Sequence, residues 1–312
     1  MFLRRRHIRL LLNQQRRYLV TATSKKKMPI CNRPDGATIY YEKKGHGSIT
    51  VLLVAPGGMN SAIPKWEMMS YNPWTQLPES EFTIIGMDQR NADSNRSTGP
   101  VGEGWDTYAE DILAVLDECK VEKVLAMGSC IGPSYIFKCM ELAPERFLGA
   151  VLMQPIGFAH ATVENEKWEG SNDRFTAGWF NGWRYNMISE KRSDENEMNK
   201  LWGNMFKDKK FVFSVSPEFV QNCQAPLLVL MGYDHYHPAL TSQQIAYLSP
   251  NAQITSDLFT HDGQKGDPLL VSTHDAPSKT LTNIRSRRFS LLRMLTTVTP
   301  AVLSAVNTCA RS

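Results

Sequence analysis

The sequence predicts an α/β protein: a mostly parallel central sheet flanked by helices. Three observations carry that expectation. Residues 50–55 (TVLLVA), 82–87 (FTIIGM), 124–127 and 226–231 (PLLVLM) are continuous apolar runs of strand length, the pattern of strands covered on both faces. Residues 107–119 (TYAEDILAVLDEC) place apolar side chains at 108, 112, 113, 115 and 116, the spacing of an amphipathic helix. Residues 123–138 (KVLAMGSCIGPSYIFK) pass abruptly from an apolar run to helical spacing at two glycines.

Within that last stretch Gly128, Ser129, Cys130, Ile131 and Gly132 spell G-x-C-x-G. A strained strand-to-helix turn of this spacing lifts its central side chain clear of the sheet, here a thiol where the G-x-S-x-G motif has a hydroxyl. The flanking glycines let strand and helix approach around a strained backbone. Ile136, Phe137 and Met140 form the inner face of the helix that follows. On the pentapeptide alone, a glycine turn holding a buried structural cysteine is an equal alternative.

Length and composition bound the rest. At 312 residues the chain can bury a full α/β core with an insertion. Residues 1–34 hold ten Lys or Arg and no acidic residue, and residues 276–312 hold six and again none. The stretch 35–275 therefore carries 19 basic residues against all 31 acidic ones, a net charge of −12 that argues against a nucleic-acid partner. The six cysteines lack paired or zinc-ligand spacing, which argues against a disulfide scaffold and a metal site and points to a reducing compartment. No apolar run reaches the roughly 18 residues of a membrane span. The first 34 residues, arginine-rich, acid-free and hydroxylated toward their end, have the composition of a mitochondrial transit peptide, with Arg16, Arg17 and Tyr18 similar to a matrix-processing site. The expectation is therefore a matrix location reached through the import machinery, or a cytoplasmic one for a chain started at Met28. A disordered basic tail is the plainer alternative.

In chain order, residues 37–42 (ATIYYE) alternate as a half-exposed strand and turn at Gly45 and Gly47. The run 50–55 ends in Pro56, Gly57, Gly58, Met59 and Asn60, a glycine pair that leaves backbone N–H groups uncovered, as an oxyanion-binding turn requires. Residues 88–94 (DQRNADS) are a polar run with an expected structural role. The order strand, Gly-rich turn, strand, helix, strand, elbow, helix then resembles the α/β-hydrolase family. The PGG turn lies where that family has its His-Gly oxyanion turn, DQRNADS looks like its D-x-R-G-x-G-x-S loop, and residues 147–155 (FLGAVLMQP) resemble the strand after the elbow helix. The resemblance covers roughly residues 34–250. Two departures stand out: the nucleophile position is Cys130, and the oxyanion-turn His is Pro56.

The resemblance implies a hydrolase core over 35–156 and 224–275, a helical cap over 157–223 and a divergent basic tail over 276–312. The cap stretch carries Trp168, Phe175, Trp179, Phe180, Trp183, Tyr185, Trp202, Phe206, Phe211 and Phe213, which either line an apolar acyl site or form the cap's own core. The resemblance carries the acid of a triad onto Asp234, in a G-x-D turn within G-x-D-x-x-H-P; His235 and His237 stand beside it, and a metal site there is disfavoured. A thiol nucleophile needs a base or a depressed pKa. The order nucleophile, acid, His places that base on His261, after an expected last strand at 252–259, with His274 as its competitor. The expected chemistry is hydrolysis of an ester, thioester or lactone of a small acyl substrate, without cofactor. Cys130 attacks, His261 moves the proton, Asp234 orients it, and N–H groups of Ile131 and of Gly58 or Met59 hold the oxyanion. A catalytically inactive fold that binds a ligand, or a redox-sensing Cys130, is the alternative.

Overall fold

The computed structural model describes residues 29–69, 72–157, 173–207, 211–234 and 236–255. Eight strands form one sheet in the order β1-β2-β4-β3-β5-β6-β7-β8. They are β1 (Ile30–Asn32), β2 (Thr38–Lys44), β3 (Ile49–Val54), β4 (Phe82–Met87), β5 (Val124–Ser129), β6 (Phe147–Met153), β7 (Leu227–Leu230) and β8 (Ala252–Thr255). From β4 through β3 to β8 all neighbours are parallel, whereas β1 with β2 and β2 with β4 are antiparallel.

The apolar runs are strands because each has two faces to bury. Val51 and Leu53 of β3 pack on one side with Trp66, Leu77, Phe82 and Ile84, while Leu52 and Val54 pack on the other with Ile112, Val115, Ile136 and Phe137. Full burial of such a side chain stabilises by about 1.5–3 kcal/mol, so a strand apolar on both faces gains twice over. The first side is covered by the 3-10 segment Ile63–Met68 and helix α1 (Pro73–Gln76), the second by α2 (Trp105–Glu118) and α3 (Gly132–Leu142).

The polar loop after β4 is structural. Asp88, fully buried, accepts from Arg96 Nε at 2.7 Å and Nη2 at 2.8 Å, from Ser94 Oγ at 2.6 Å and from the Ile63 N–H at 2.9 Å. Arg90 donates two bonds, at 2.7 and 2.8 Å, to Asp111 of α2 and a third, at 2.8 Å, to Asp35. Arg90 and Asp111 are both out of solvent, so each compensates the charge of the other.

β1 has no counterpart among the sequence expectations. It lies inside the stretch drawn as the basic segment 1–34, yet pairs with β2 from Ile30 opposite Tyr40 to Asn32 opposite Thr38. Arg33, just after it, reaches Asp111 through Nε at 2.9 Å. The folded body therefore takes in part of that stretch.

Between β6 and β7 come α4 (Asp173–Ser189), α5 (Glu195–Trp202), a π-helical turn (Gly203–Lys207) and α6 (Pro217–Asn222). Their aromatics stack on one another: Phe206 lies 5.4 Å from Trp179 and from Phe213, 5.2 Å from Trp202 and 5.7 Å from Trp105 of the body. Phe180, Trp183, Phe206, Phe211 and Phe213 are buried, and Tyr185 faces solvent. The Trp183 indole donates to the Asn91 carbonyl and the Trp105 indole to the Met205 carbonyl, each at 2.8 Å, tying the insertion to the body. Most of this aromatic stripe is thus packing core; Trp168 and the side chain of Phe175 lie outside the described set. Helix α7 (Ala239–Leu248) links β7 to β8. Among the described residues no helix is long and apolar enough to cross a membrane.

Candidate active site

β3 is the point at which the sheet changes direction of growth, with β4 on one side and β5 on the other. The crevice beyond the carboxyl ends of the strands at such a point is where open α/β sheets bind ligands. Three turns meet at this end of the sheet.

The first is the elbow. Cys130 sits between β5 and α3 with φ +61°, a left-handed conformation costing an L-residue roughly 1–2 kcal/mol. Its surroundings enforce it: the Cys130 N–H donates to the Met153 carbonyl at 3.0 Å, and the Cys130 carbonyl accepts from the Ile156 N–H at 3.3 Å. A Cβ on Gly132 would stand 2.5 Å from the Val54 carbonyl oxygen, and one on Gly128 2.7 Å from Ile136 Cδ1 and 2.8 Å from the Gly132 carbonyl carbon. The strand and helix therefore meet as the G-x-C-x-G spacing anticipates. Ile131 is the N-cap of α3 and its carbonyl accepts from Ser134 and Tyr135. Its N–H lies at the helix start, where donors have no intrahelical partner. Among the described cysteines Cys130 is the half-buried one. Cys31, Cys119, Cys139 and Cys223 are buried, and burial raises the pKa of each thiol.

The second turn follows β3, which pairs with β5 so that Val54 lies opposite Gly128. Gly57 and Gly58 have φ of +117° and +63° and lead into a 3-10 turn over Gly58–Asn60. The bonds of this turn use the N–H groups of Asn60, to the Gly57 carbonyl, and of Ser61, to the Gly58 carbonyl. Met59 is buried, its sulfur 4.0 Å from the Tyr135 hydroxyl. The glycine turn and the elbow are thus neighbours.

The third turn follows β7. Asp234 Oδ1 accepts from the N–H groups of Tyr236 and His237, each at 2.8 Å, which winds the chain into one tight turn. That turn brings His237 Nδ1 back to 2.9 Å from both carboxylate oxygens of Asp234. Gly232 makes room: a Cβ there would stand 2.5 Å from both Cβ and the carbonyl oxygen of His237. Nε2 points away from Asp234's carboxylate by ring geometry; it is shielded from solvent and makes no hydrogen bond among the described residues.

The electrostatics join this turn to the elbow. Burial alone would lower the His237 pKa, but the negative charge of Cys130 and the hydrogen bond and charge of Asp234 push it up to about 10. Burial would raise the Asp234 carboxyl, but the hydrogen bond and charge of His237, with the two backbone donors, hold it down at about 2. At neutral pH the arrangement is carboxylate, imidazolium and a facing cysteine sulfur. Cys130, Asp234, Gly58, Met59, Ile131, Gly128 and Gly132 are therefore all placed by the structure, whereas His235, His261 and His274 lie outside the described residues. Among the described residues, the imidazole that meets Asp234 is His237, not the expected His261 or its competitor His274. Its signal was the D-x-x-H spacing itself. Among the described residues no three His, Cys, Asp or Glu side chains converge on a metal position.

No family model and no curated protein matches the chain. Solved structures do. An alpha/beta hydrolase from Sphaerobacter thermophilus DSM 20745 is 15% identical with a TM-score of 0.51, covering 75% of this chain and 95% of its own. Bromoperoxidase from Bacillus anthracis is 16% identical with a TM-score of 0.52, covering 73% and 90%. Est816, described as an N-acyl homoserine lactone degrading enzyme, is 23% identical with a TM-score of 0.47, covering 73% and 90%. Sheet order, elbow and structural likeness agree: the chain has the α/β-hydrolase fold.

Proposed function

We propose that this protein hydrolyses a carboxylic ester, thioester or lactone through a thioester on Cys130, with His237 as the proton-carrying imidazole and Asp234 as the group that orients it. The observation that carries the reading is His237 itself, bonded through Nδ1 to Asp234 and raised in pKa first by the charge of Cys130. A thiolate is the working nucleophile of cysteine, and an imidazolium facing it supports the thiolate at neutral pH.

The sulfur attacks the carbonyl carbon, forming a C–S bond while the carbonyl oxygen becomes an oxyanion. The N–H groups of Ile131 and of Gly58 or Met59 receive it, each such donor contributing about 3–4 kcal/mol in a known case. Collapse of the intermediate breaks the bond to the leaving alcohol or thiol, which takes its proton from His237 Nε2. Neutral His237 then takes a proton from water as the water attacks the thioester. Acid is released and the thiolate and imidazolium are restored. Asp234 keeps Nδ1 protonated throughout and stabilises the positive ring. The base role expected of His261 passes in this reading to His237, which obeys the same order of nucleophile, acid and imidazole.

The test is a stopped-flow and intact-mass experiment with p-nitrophenyl esters on the full chain and its Cys130→Ala, His237→Ala, His261→Ala and His274→Ala variants. The reading expects a nitrophenol burst with one acyl adduct, absent in Cys130→Ala and diminished in His237→Ala. A folded wild-type protein that forms no adduct overturns it, and the binding or redox-sensing alternatives take its place.

A further inference from the structure

The glycine turn lies under an indole. A Cβ on Gly58 would stand 2.4 Å from Trp179 Cε3, 2.8 Å from Cζ3 and 2.9 Å from Cδ2, so the ring occupies the space next to the Gly58 backbone. Trp179 and Cys130 are both half-buried and both pack on the same apolar core. The ring is held from behind: Phe206 meets it edge-on at 5.4 Å and Phe180 at 6.5 Å. Phe206 and Phe180 are themselves fully packed, against Trp202 at 5.2 and 4.9 Å. Trp179 therefore cannot withdraw from Gly58 into the insertion without breaking apart a buried aromatic cluster.

We propose that Trp179 is the residue that limits acyl size, and that the substrates carry short aliphatic acyl groups such as acetyl or propionyl. This deepens, and rests on, the reading of Cys130 as the acylated nucleophile. An oxyanion held between the Ile131 and Gly58 or Met59 N–H groups fixes the acyl carbon next to Sγ. Of the two other substituents of that carbon, the leaving group departs toward the proton of His237, and the acyl chain, which stays on the thioester, passes the surface of the Gly58 turn in this reading. A methyl or ethyl group lies flat against the indole, whereas a long chain has to displace it. An apolar ring at this position also offers nothing to a charged acyl group, whose desolvation would go uncompensated.

The test compares kcat/KM for p-nitrophenyl acetate, butyrate and octanoate in the wild type, Trp179→Ala, Trp179→Leu and Trp202→Phe, with acyl-adduct mass read in parallel. The wild type is expected to favour acetate over octanoate by about tenfold or more, and Trp179→Ala to move the octanoate-to-acetate ratio upward by about tenfold or more. Trp179→Leu, which keeps an apolar side chain in the cluster, is expected to move it in the same direction by less. Trp202→Phe perturbs the cluster without touching Gly58 and is expected to leave the ratio alone. An unchanged ratio in both Trp179 variants with the burst intact overturns the inference while leaving the thioester reading in place. No burst from any ester in the wild type overturns the thioester reading, and this inference with it.

Discussion

His237 Nδ1 lies 2.9 Å from both carboxylate oxygens of Asp234, a residue three positions earlier in the same turn. Acid and imidazole are therefore set against each other by local chain geometry, through the two backbone N–H bonds that Asp234 accepts. Only the approach of this turn to Cys130 depends on the sheet.

The imidazole can be located by substitution. His237→Ala is expected to lower kcat/KM for p-nitrophenyl acetate by about 10²–10⁴-fold, the usual contribution of a positioned acid–base group. His261→Ala and His274→Ala are expected to stay within severalfold of wild type. The reverse ranking, read from steady-state kinetics on folded variants, would return the base to His261 or His274.

The pH dependence has a definite sign on each side. His237 is raised from an ordinary 6.5 to about 10. Its contribution to stability is full below 6.5 and fades as pH rises toward 10. Asp234 is lowered from an ordinary 3.8 to about 2, so its contribution is present above 3.8 and fades as pH falls toward 2. Activity that needs the imidazolium as proton donor is expected to fall on the alkaline side near pH 10. In Cys130→Ala the strongest raising influence is gone, and the His237 ring resonance followed by NMR should titrate at lower pH than in wild type. An unmoved titration would mean that the sulfur does not face the ring.

At the elbow, Gly132→Ala sets a methyl against the Val54 carbonyl oxygen, where its Cβ would stand 2.5 Å away. The expected loss is about 1–3 kcal/mol, by the cost of overpacking a tight core. Urea unfolding of this variant beside wild type measures it, and an unchanged midpoint would contradict the close strand-to-helix contact.

Removing one partner of the buried Arg90 and Asp111 pair leaves the other with a single counter-charge, Arg33 for Asp111 and Asp35 for Arg90. Arg90→Met is expected to destabilise by less than the roughly 3–5 kcal/mol of a fully stranded buried charge, and Asp111→Asn similarly. The double variant should cost less than the sum of the two, which a double-mutant cycle of unfolding free energies reads directly.

The strands of the centre were legible because burial on both faces leaves continuous apolar runs: β4 is observed as Phe82–Met87, the expected 82–87, and β3 and β7 lie within two residues of expectation. β1 was not legible. It is three residues long, with Cys31 its one buried side chain, and it exists because β2 offers it an edge. The elbow was legible because a tight turn demands glycines at fixed places. His237 was visible as a residue but not as a partner, since D-x-x-H becomes a hydrogen-bonded pair only when the N–H groups of Tyr236 and His237 fold back onto the Asp. Nor does apolar spacing tell packing from pocket: Phe180 and Phe206 are core, whereas Trp179, from the same stripe, also lies against Gly58.

A site whose acid and imidazole share one turn is a two-piece site. The elbow at the end of β5 is one piece and the turn after β7 the other, with β6 between them as the spacer. Two strand separations of about 4.8 Å each set the gap, whatever the length of chain that follows. The connection between α7 and β8 serves the second piece from behind, since Asn251 accepts from the Leu227 N–H at the start of β7 and donates to the Gln224 carbonyl. A single residue inserted between Asp234 and His237 would undo the pair while leaving both supports in place.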